Sequence, residues 1–236
     1  MDVQIRKAQE KVLKELSKKR WNFALAGGTA LELFYLHHRF SADLDFFYPV
    51  YALKEIDEII SDLAKSLKVK IKLEGEFVAS RKARVRFYNM PVKTSKRPLK
   101  IDFVEDVLFS SPRINIVNGI RVYSVENIYL QKISAITGAG LEKDSIGRDF
   151  TEGRREARDI FDIYILSKNI CALHIFLRRQ PSHMQRGMIH WYQTYSRQDT
   201  KLALLDMDIY DKNFNSKDMI TYLDGEIKKF IEQVLE

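Results

Sequence analysis

Phe23-Ala-Leu-Ala-Gly-Gly-Thr-Ala-Leu31, followed at Ser41 by Ser-Ala-Asp-Leu-Asp-Phe46, decides how this chain is read. A short apolar run ends in Gly27-Gly28-Thr29, and apolar residues then take helical spacing through Leu31, Leu33 and Phe34. Phe23 to Ala26 has the length of a buried strand. The paired glycines let the backbone turn sharply and come close to a ligand. The N–H groups opening the next helix point at any anion lying there. Side chains two apart on a strand share a face, so Asp43 and Asp45 stand together. Carboxylates that close repel each other unless a cation lies between them. Hard oxygen ligands suit Mg²⁺, which takes one or two protein carboxylates and completes its shell with substrate phosphates, with Mn²⁺ as the alternative ion. A phosphate cradle beside a Mg²⁺ clamp reads as a nucleotide site. Each half has a plainer alternative: a tight turn without a ligand, and a strand whose polar face meets water. Leu44, Phe46 and Phe47 read as core, and carboxylates are rarely buried without a partner.

Outward from this centre, periodicity predicts a helix over residues 3–19, a strand over 22–26 and a helix over 28–37. The strand carrying the aspartates runs over 43–48 and Pro49 closes it. A helix over 53–67 carries Leu53, Ile56, Ile59, Ile60 and Leu63 on one stripe. Strands follow at 69–73, 83–88 and 99–104. Asn118-Gly119 joins 114–117 to 120–123 as a hairpin. Ser124 caps a helix over 125–136. Residues 137–151 are Gly-rich and charged and read as a mobile loop that could close over substrate. From residue 152 the chain reads as helical, ending in an apolar stripe from Ile220 to Val234. The expected fold is α/β (α+β): a mixed sheet with flanking helices, then a C-terminal α-helical region. The expected division is 1–123 and 124–236.

The 236 residues suffice for one core plus a helical appendage. No apolar run approaches the roughly 20 residues of a membrane helix, and the N-terminus lacks an apolar signal segment, so no membrane partner is expected. One cysteine, Cys171, makes no internal disulfide, which suits a reducing, cytoplasmic setting. Few cysteines and scattered histidines argue against structural zinc. Net charge is +7, concentrated in Lys65, Lys68, Lys70, Lys72, Arg81, Lys82, Arg84, Arg86, Lys93, Lys96, Arg97 and Lys100. The alternation Ala83-Arg84-Val85-Arg86-Phe87 predicts a sheet face with cations on one side and core residues on the other. Such a footprint suits a polyanion; a solvated basic face without a partner is the alternative.

Gly27-Gly-Thr-Ala-Leu31 and Arg39-Phe-Ser-Ala-Asp-Leu-Asp-Phe46 resemble the signature of the AbiEii/AbiGii-type nucleotidyltransferase toxins, within the DNA polymerase beta-like nucleotidyltransferase superfamily. Lys100-Ile-Asp102-Phe resembles the later strand that brings a third carboxylate. Lys132-Ile-Ser-Ala135, with Arg154, Arg155 and Arg158-Asp159-Ile-Phe-Asp162, resembles the paired helices carrying Lys and Arg-Asp-x-x-Asp elements. The likeness covers residues 20–168. One departure is Gly-Gly-Thr where the superfamily usually has Gly-Ser; Thr29 can supply the same hydroxyl.

The resemblance implies an Mg²⁺-dependent toxin of a toxin–antitoxin or phage-defence module. It would transfer a nucleotidyl group from a nucleoside triphosphate to RNA, most plausibly the 3′ end of tRNA, and would have a separate antitoxin protein. Asp43, Asp45 and Asp102 would hold metal, as two ions about 4 Å apart stabilising the entering and leaving oxygens. Asp102 could also take the hydroxyl proton. Gly27, Gly28 and Thr29 would seat the β and γ phosphates, and Lys132 would neutralise the triphosphate. Residues 1–123 would be catalytic, and 124–236 would add the Lys and Arg-Asp elements.

Other residues leave alternatives. Ser41 could contact phosphate or accept self-modification, or bond locally at the strand start. Arg39 could reach phosphates or form a surface ion pair. Asp159 could assist through Arg158 or Lys132, or form a salt bridge that orients Arg158. His37 and His38 read as structural, and Trp21, Trp191, Tyr192 and Tyr195 as packing. A nucleotide-binding regulator without turnover, and transfer to a protein or small-molecule hydroxyl, are the competing functions.

Overall fold

The computed structural model describes residues 1–78, 83–138, 142–143, 149–150 and 153–235. Most of the loop expected over 137–151, and the cations Arg81 and Lys82, lie outside the described residues. The chain forms two compact units, Met1–Ile128 and Tyr129–Glu236.

The first unit contains α1 (Val3–Leu16), β1 (Ala24–Ala26), α2 (Gly27–Leu31), β2 (Leu44–Tyr48), α3 (Leu53–Leu67), β3 (Lys72–Phe77), β4 (Val85–Met90), β5 (Leu99–Glu105), β6 (Ile114–Val117) and β7 (Ile120–Tyr123). Helix α2 widens into a π-helical turn over Glu32–Leu36 and stops at His37, whose φ is 46°. The strands form one seven-stranded sheet in the order β3-β4-β5-β2-β1-β7-β6. Strand β2 lies between β1, antiparallel, and β5, parallel; β1 runs parallel to β7.

Alternation sorts the sheet into two faces. One carries Leu44 and Phe46 of β2, Ile101 and Phe103 of β5, and Tyr88 and Met90 of β4, all buried. Ile5, Val12 and Leu13 of α1 and Ile56, Ile59 and Leu63 of α3 are buried too, and α1 packs on both α3 and the sheet. Phe46 stacks on Phe103 at 5.6 Å, and Phe23 meets Phe103 edge-on at 5.2 Å. The opposite face carries Asp45, Phe47, Lys100, Asp102, Phe87 and Asn89.

Two expectations change here. The strand expected over 69–73 runs over Lys72–Phe77, because the chain passes Gly75 with a register shift after Leu73 instead of stopping. The basic face expected from Arg84 and Arg86 is not an open one. Both share the side of β4 that carries buried Tyr88 and Met90, and both are ion-paired. Arg84 donates to Glu105 through Nε at 2.9 Å and Nη2 at 2.6 Å. Arg86 pairs with Asp57 of α3 at 2.8 Å and with Glu76 at 3.1 Å. Alternation shows which residues share a face, whereas the packing of α3 decides which face is covered.

The second unit holds most of α4 (Val125–Thr137), the short paired strands β8 (Glu142–Lys143) and β9 (Asp149–Phe150), and α5 (Ala157–Asn169), α6 (Leu173–Arg178), α7 (Ser182–Thr194), α8 (Arg197–Leu205) and α9 (Ser216–Leu235). The long helical stretch expected after residue 152 is thus broken into shorter helices, one break falling at Pro181, which cannot extend a helix. Helix α9 packs on α5, α6, α7 and α8, with Met219, Leu223, Ile227 and Phe230 buried along its inner stripe. Trp191 and Tyr195 are buried and stacked at 4.4 Å, the packing role expected of them.

The expected hairpin is present, with Asn118 at φ 51° and Gly119 at φ 78°. A β-carbon at Gly119 would lie 3.1 Å from the Ser17 carbonyl oxygen. Gly119→Ala is therefore expected to cost about 1–2 kcal/mol from the left-handed backbone alone. A thermal melt should show its midpoint lowered by roughly 2–4 °C per kcal/mol.

Candidate active site

Strand β1 ends at Ala26 and the chain turns at Gly27, whose φ is 68°. Ala26 pairs with Asp45, and Asp45 pairs with Asp102, so these three residues form one row across adjacent strands. The turn lies directly against the row: a β-carbon at Gly27 would stand 2.6 Å from Asp45 Oδ2. A β-carbon at Gly28 would stand 2.7 Å from Arg39 Nη2 and 2.8 Å from the Ser41 hydroxyl. Arg39 is buried, and its Nη1 donates to the Phe40 carbonyl at 3.2 Å. The guanidinium and the Ser41 hydroxyl both lie against the first turn of α2.

The segment leading into β2 is held by buried side chains. Gln9 of α1 donates through Nε2 to the carbonyls of Ser41 at 2.9 Å and Asp43 at 3.4 Å. The Thr29 hydroxyl donates to the Asp43 carbonyl. The Ser41 N–H donates to Glu32 Oε2 at 2.8 Å, and Glu32 is ion-paired with Arg6 of α1. Gln9 and Thr29 are 0% exposed and Glu32 is 1% exposed. Residues 41–43 precede the strand, so their backbone groups take side-chain partners instead of ladder bonds. Thr29 thus holds the backbone beneath Asp43. Sequence reading missed Gln9, Glu32 and Arg6. The available signal was a glutamine on the inward stripe of α1, beside Ile5, Val12 and Leu13, and a glutamate inside the apolar run from Leu31 to Leu36.

Electrostatics single out Asp102. Its carboxyl is pushed up to about 7, first by burial and then by the negative charge of Asp45, with Asp43 adding to it; Lys100 opposes the shift. Lys100 Nζ lies 2.8 Å from Asp102 Oδ2 and 4.8 Å from the centre of the Phe87 ring. Burial alone would lower the Lys100 ammonium, but the bond to Asp102 and the charges of Asp102, Asp43 and Asp45 outweigh it and raise it. The other oxygen of Asp102, Oδ1, is buried and accepts no hydrogen bond among the described residues. A buried carboxylate oxygen with no donor, in a row crowded with negative charge, fits a hard divalent cation. Among the described residues no three His, Cys, Asp or Glu side chains are gathered at ligating distance; Asp102 is turned to Lys100 instead.

A second charged cluster lies in the second unit. Lys132 of α4 is buried, with Nζ 2.7 Å from Asp159 Oδ1 and 2.8 Å from Asp162 Oδ2. The two aspartates are three residues apart on α5 and so share a helix face. Arg154 Nη2 lies 3.3 Å from Asp159 Oδ2. Asp159 therefore pairs with Lys132 and Arg154. The half-exposed Arg158 lies 4.0 Å from Glu156. Of the residues read as site candidates, Gly27, Gly28, Thr29, Arg39, Ser41, Asp43, Asp45 and Asp102 belong to the first unit, and Lys132, Arg158 and Asp159 to the second.

A mixed sheet with carboxylates in one row, opening on a glycine turn and a helix start, defines a nucleotidyltransferase-like α/β protein. The chain belongs to the family described as "Nucleotidyl transferase AbiEii toxin, Type IV TA system", whose sequence profile matches residues 11–233. It is a nucleotidyltransferase toxin of a type IV toxin–antitoxin system, which implies a separate antitoxin. Two Helicobacter pylori crystal structures share the fold. One, of a candidate nucleotidyltransferase, has a TM-score of 0.59 at 16% identity, covering 98% of this chain and 96% of that one. The other, of JHP933, has a TM-score of 0.57 at 17% identity, covering 98% and 94%. No curated protein matches the chain. No helix among the described residues is long and apolar enough to cross a membrane.

The raised Asp102 carboxyl sets a stability test. The folded state holds this proton up to about pH 7 while the unfolded chain releases it near 3.8. Folded-state stability is therefore lost between those values as pH rises, and the loss is complete above them. Asp102→Asn should leave metal-free stability unchanged at pH 3 and raise it at pH 8 by up to a few kcal/mol, since each tenfold difference in proton affinity is worth about 1.4 kcal/mol. Melting curves in chelator at the two pH values check this.

Proposed function

We propose that this protein transfers the nucleotidyl group of a nucleoside triphosphate to the 3′ hydroxyl of an RNA, tRNA above all. The observation that carries the reading is the Ala26–Asp45–Asp102 row beside Gly27 and Gly28, with a buried Asp102 oxygen left without a donor. Asp43, Asp45 and Asp102 would hold Mg²⁺ or Mn²⁺, which when bound supplies neutralisation of phosphate charge and acidification of the attacking hydroxyl. The backbone of Gly27 and Gly28 seats the β and γ phosphates at the start of α2, with the Arg39 guanidinium and the Ser41 hydroxyl beside them. The acceptor oxygen forms a bond to the α phosphorus, the bond from that phosphorus to the β-phosphate oxygen breaks, and pyrophosphate leaves. The hydroxyl proton passes to the Asp102 carboxylate.

In the same reading Gln9, Thr29 and Glu32 position Asp43 and do not touch substrate. Within the second unit Asp159 and Asp162 fix the direction of the Lys132 ammonium. Residues 1–123 carry the chemistry and 124–236 the Lys and Arg-Asp elements, in a cytoplasmic enzyme.

Incubation of the protein with each α-radiolabelled nucleoside triphosphate, total tRNA and Mg²⁺ tests the proposal. Label should appear on tRNA, require Mg²⁺, and fall by about a hundredfold or more in Asp43→Ala, Asp45→Ala and Gly28→Ala. Label on protein or on a small molecule would move the acceptor. Triphosphate binding with no transfer to any acceptor would make the protein a regulator without turnover.

A further inference from the structure

The face of the sheet that bears Asp45 and Asp102 continues outward past β5 to the free edge at β3. There the register places residues in ordered rows. Lys72, Asn89 and Lys100 are direct partners across β3, β4 and β5. In the next row Gly75, Phe87 and Asp102 are direct partners. Beyond it Phe77 opposes Val85, and Phe77 is 46% exposed at the sheet edge. The turn between β4 and β5, at the Asn89–Lys100 end, adds the exposed cations Lys93, Lys96 and Arg97. The carboxylates at this end are Glu74, whose Oε2 accepts from Asn89 Nδ2 at 3.0 Å, and Asp2 of the N-terminus, which accepts from the Ser95 hydroxyl of the turn at 2.9 Å. One end of the surface is therefore cationic, its middle is a half-buried phenylalanine, and its inner border is Asp102.

We infer that this outer face of β3, β4 and β5 seats the 3′-terminal nucleotide of a single-stranded acceptor, with Phe87 as the stacking surface for its base. The inference rests on the proposed RNA-directed transfer and adds the place where the acceptor lies. Phe87 stands one strand spacing, about 5 Å, from Asp102, so a base lying on the ring leaves the attached ribose hydroxyl within reach of the carboxylate. Aromatic platforms bind single strands in this way, because every base offers a flat face. The cations at the Lys72–Lys100 end suit the phosphates of the preceding nucleotides, whose charge must be neutralised wherever the strand runs. A peptide backbone carries no charge at each residue for that row of cations to follow, whereas a nucleic-acid backbone does. Lys100 Nζ reaches from β5 to 4.8 Å from the ring centre, and Gly75 on the β3 side has no side chain to cover the ring there, so the base approaches from the β3 side.

The test uses the full-length protein without metal or triphosphate and a short single-stranded RNA ending in 2-aminopurine, whose fluorescence is quenched by stacking. The wild type should bind and quench. Phe87→Leu, which keeps an apolar side chain, and Phe87→Ala should bind about tenfold more weakly and lose the quenching, as stacking is worth about 1–3 kcal/mol per base. Phe87→Tyr should retain both. Lys72→Gln and Lys93→Gln should each reduce the slope of log affinity against log salt by about one and leave the quenching in place. A folded Phe87→Leu protein with wild-type affinity and quenching would overturn the inference, as would a wild type that binds RNA without quenching. Because this assay contains no triphosphate, its failure is separate from failure of the transfer reaction. An RNA that binds with Phe87-dependent quenching but receives no label would sink the proposed transfer and leave the binding surface standing.

Discussion

Charge repulsion among carboxylates placed side by side in a β-sheet is the constraint around which the first unit is organised. Asp45 and Asp102 are direct partners on parallel strands, where opposed side chains stand about 5 Å apart. Nothing in the packing of a sheet asks for this arrangement, since like charges in opposed positions destabilise the pair. The chain tolerates it by setting Lys100 on the same face and by holding the Asp102 proton to higher pH. Groups kept in such an unfavourable state mark functional sites, where their energy is released on binding a ligand of opposite charge. The glycine turn makes sense in the same terms. It brings the backbone of the first turn of α2 against the same row of carboxylates, with no side chain between them.

Holding that row in place takes an inner layer of polar side chains. Gln9, Thr29 and Glu32 are all buried, and each is bonded to the backbone of residues 41–43. Buried polar groups are tolerable only when satisfied, and satisfied ones specify a single arrangement. Arg6 neutralises Glu32 from α1. Helix α1 thus covers the apolar face of the sheet and, through Arg6 and Gln9, also reaches round to the entry of β2. The second unit shows the same economy, with a buried lysine between two aspartates on one helix face. A buried ion cluster of this kind adds little net stability, because desolvation offsets much of the attraction. What it does supply is a cation and carboxylates with fixed directions.

Much of this was legible in the residues. The apolar run ending in Gly-Gly-Thr, the Asp-Leu-Asp alternation and the Asn-Gly hairpin each have a local cause, and local causes can be read in one dimension. The third strand was placed at 69–73 by alternation, whereas it runs over Lys72–Phe77 and carries its pairing past Gly75 with a register shift. The Arg84 and Arg86 alternation was also read correctly as a period of two. Its outward direction was not, because Glu105, Glu76 and Asp57, distant in sequence, meet these arginines from neighbouring elements. Thr29 was seen as a hydroxyl near phosphate, and the Asp43 carbonyl that claims it depends on the path of the chain between the two.

By itself the sequence determined that Asp45 lies on a strand, with Asp43 one residue before its start rather than inside it as the alternation suggested, that a glycine turn precedes a helix, and that Lys132 and the Asp159/Asp162 pair occupy helices. These follow from side-chain period and backbone freedom, which act over a few residues. Only the tertiary structure decided that Asp45 faces Asp102, that Lys100 stands beside Asp102, and that Phe87 borders it on the same face of the sheet. Those relations are set by strand order and register, and register depends on which face the helices α1 and α3 cover.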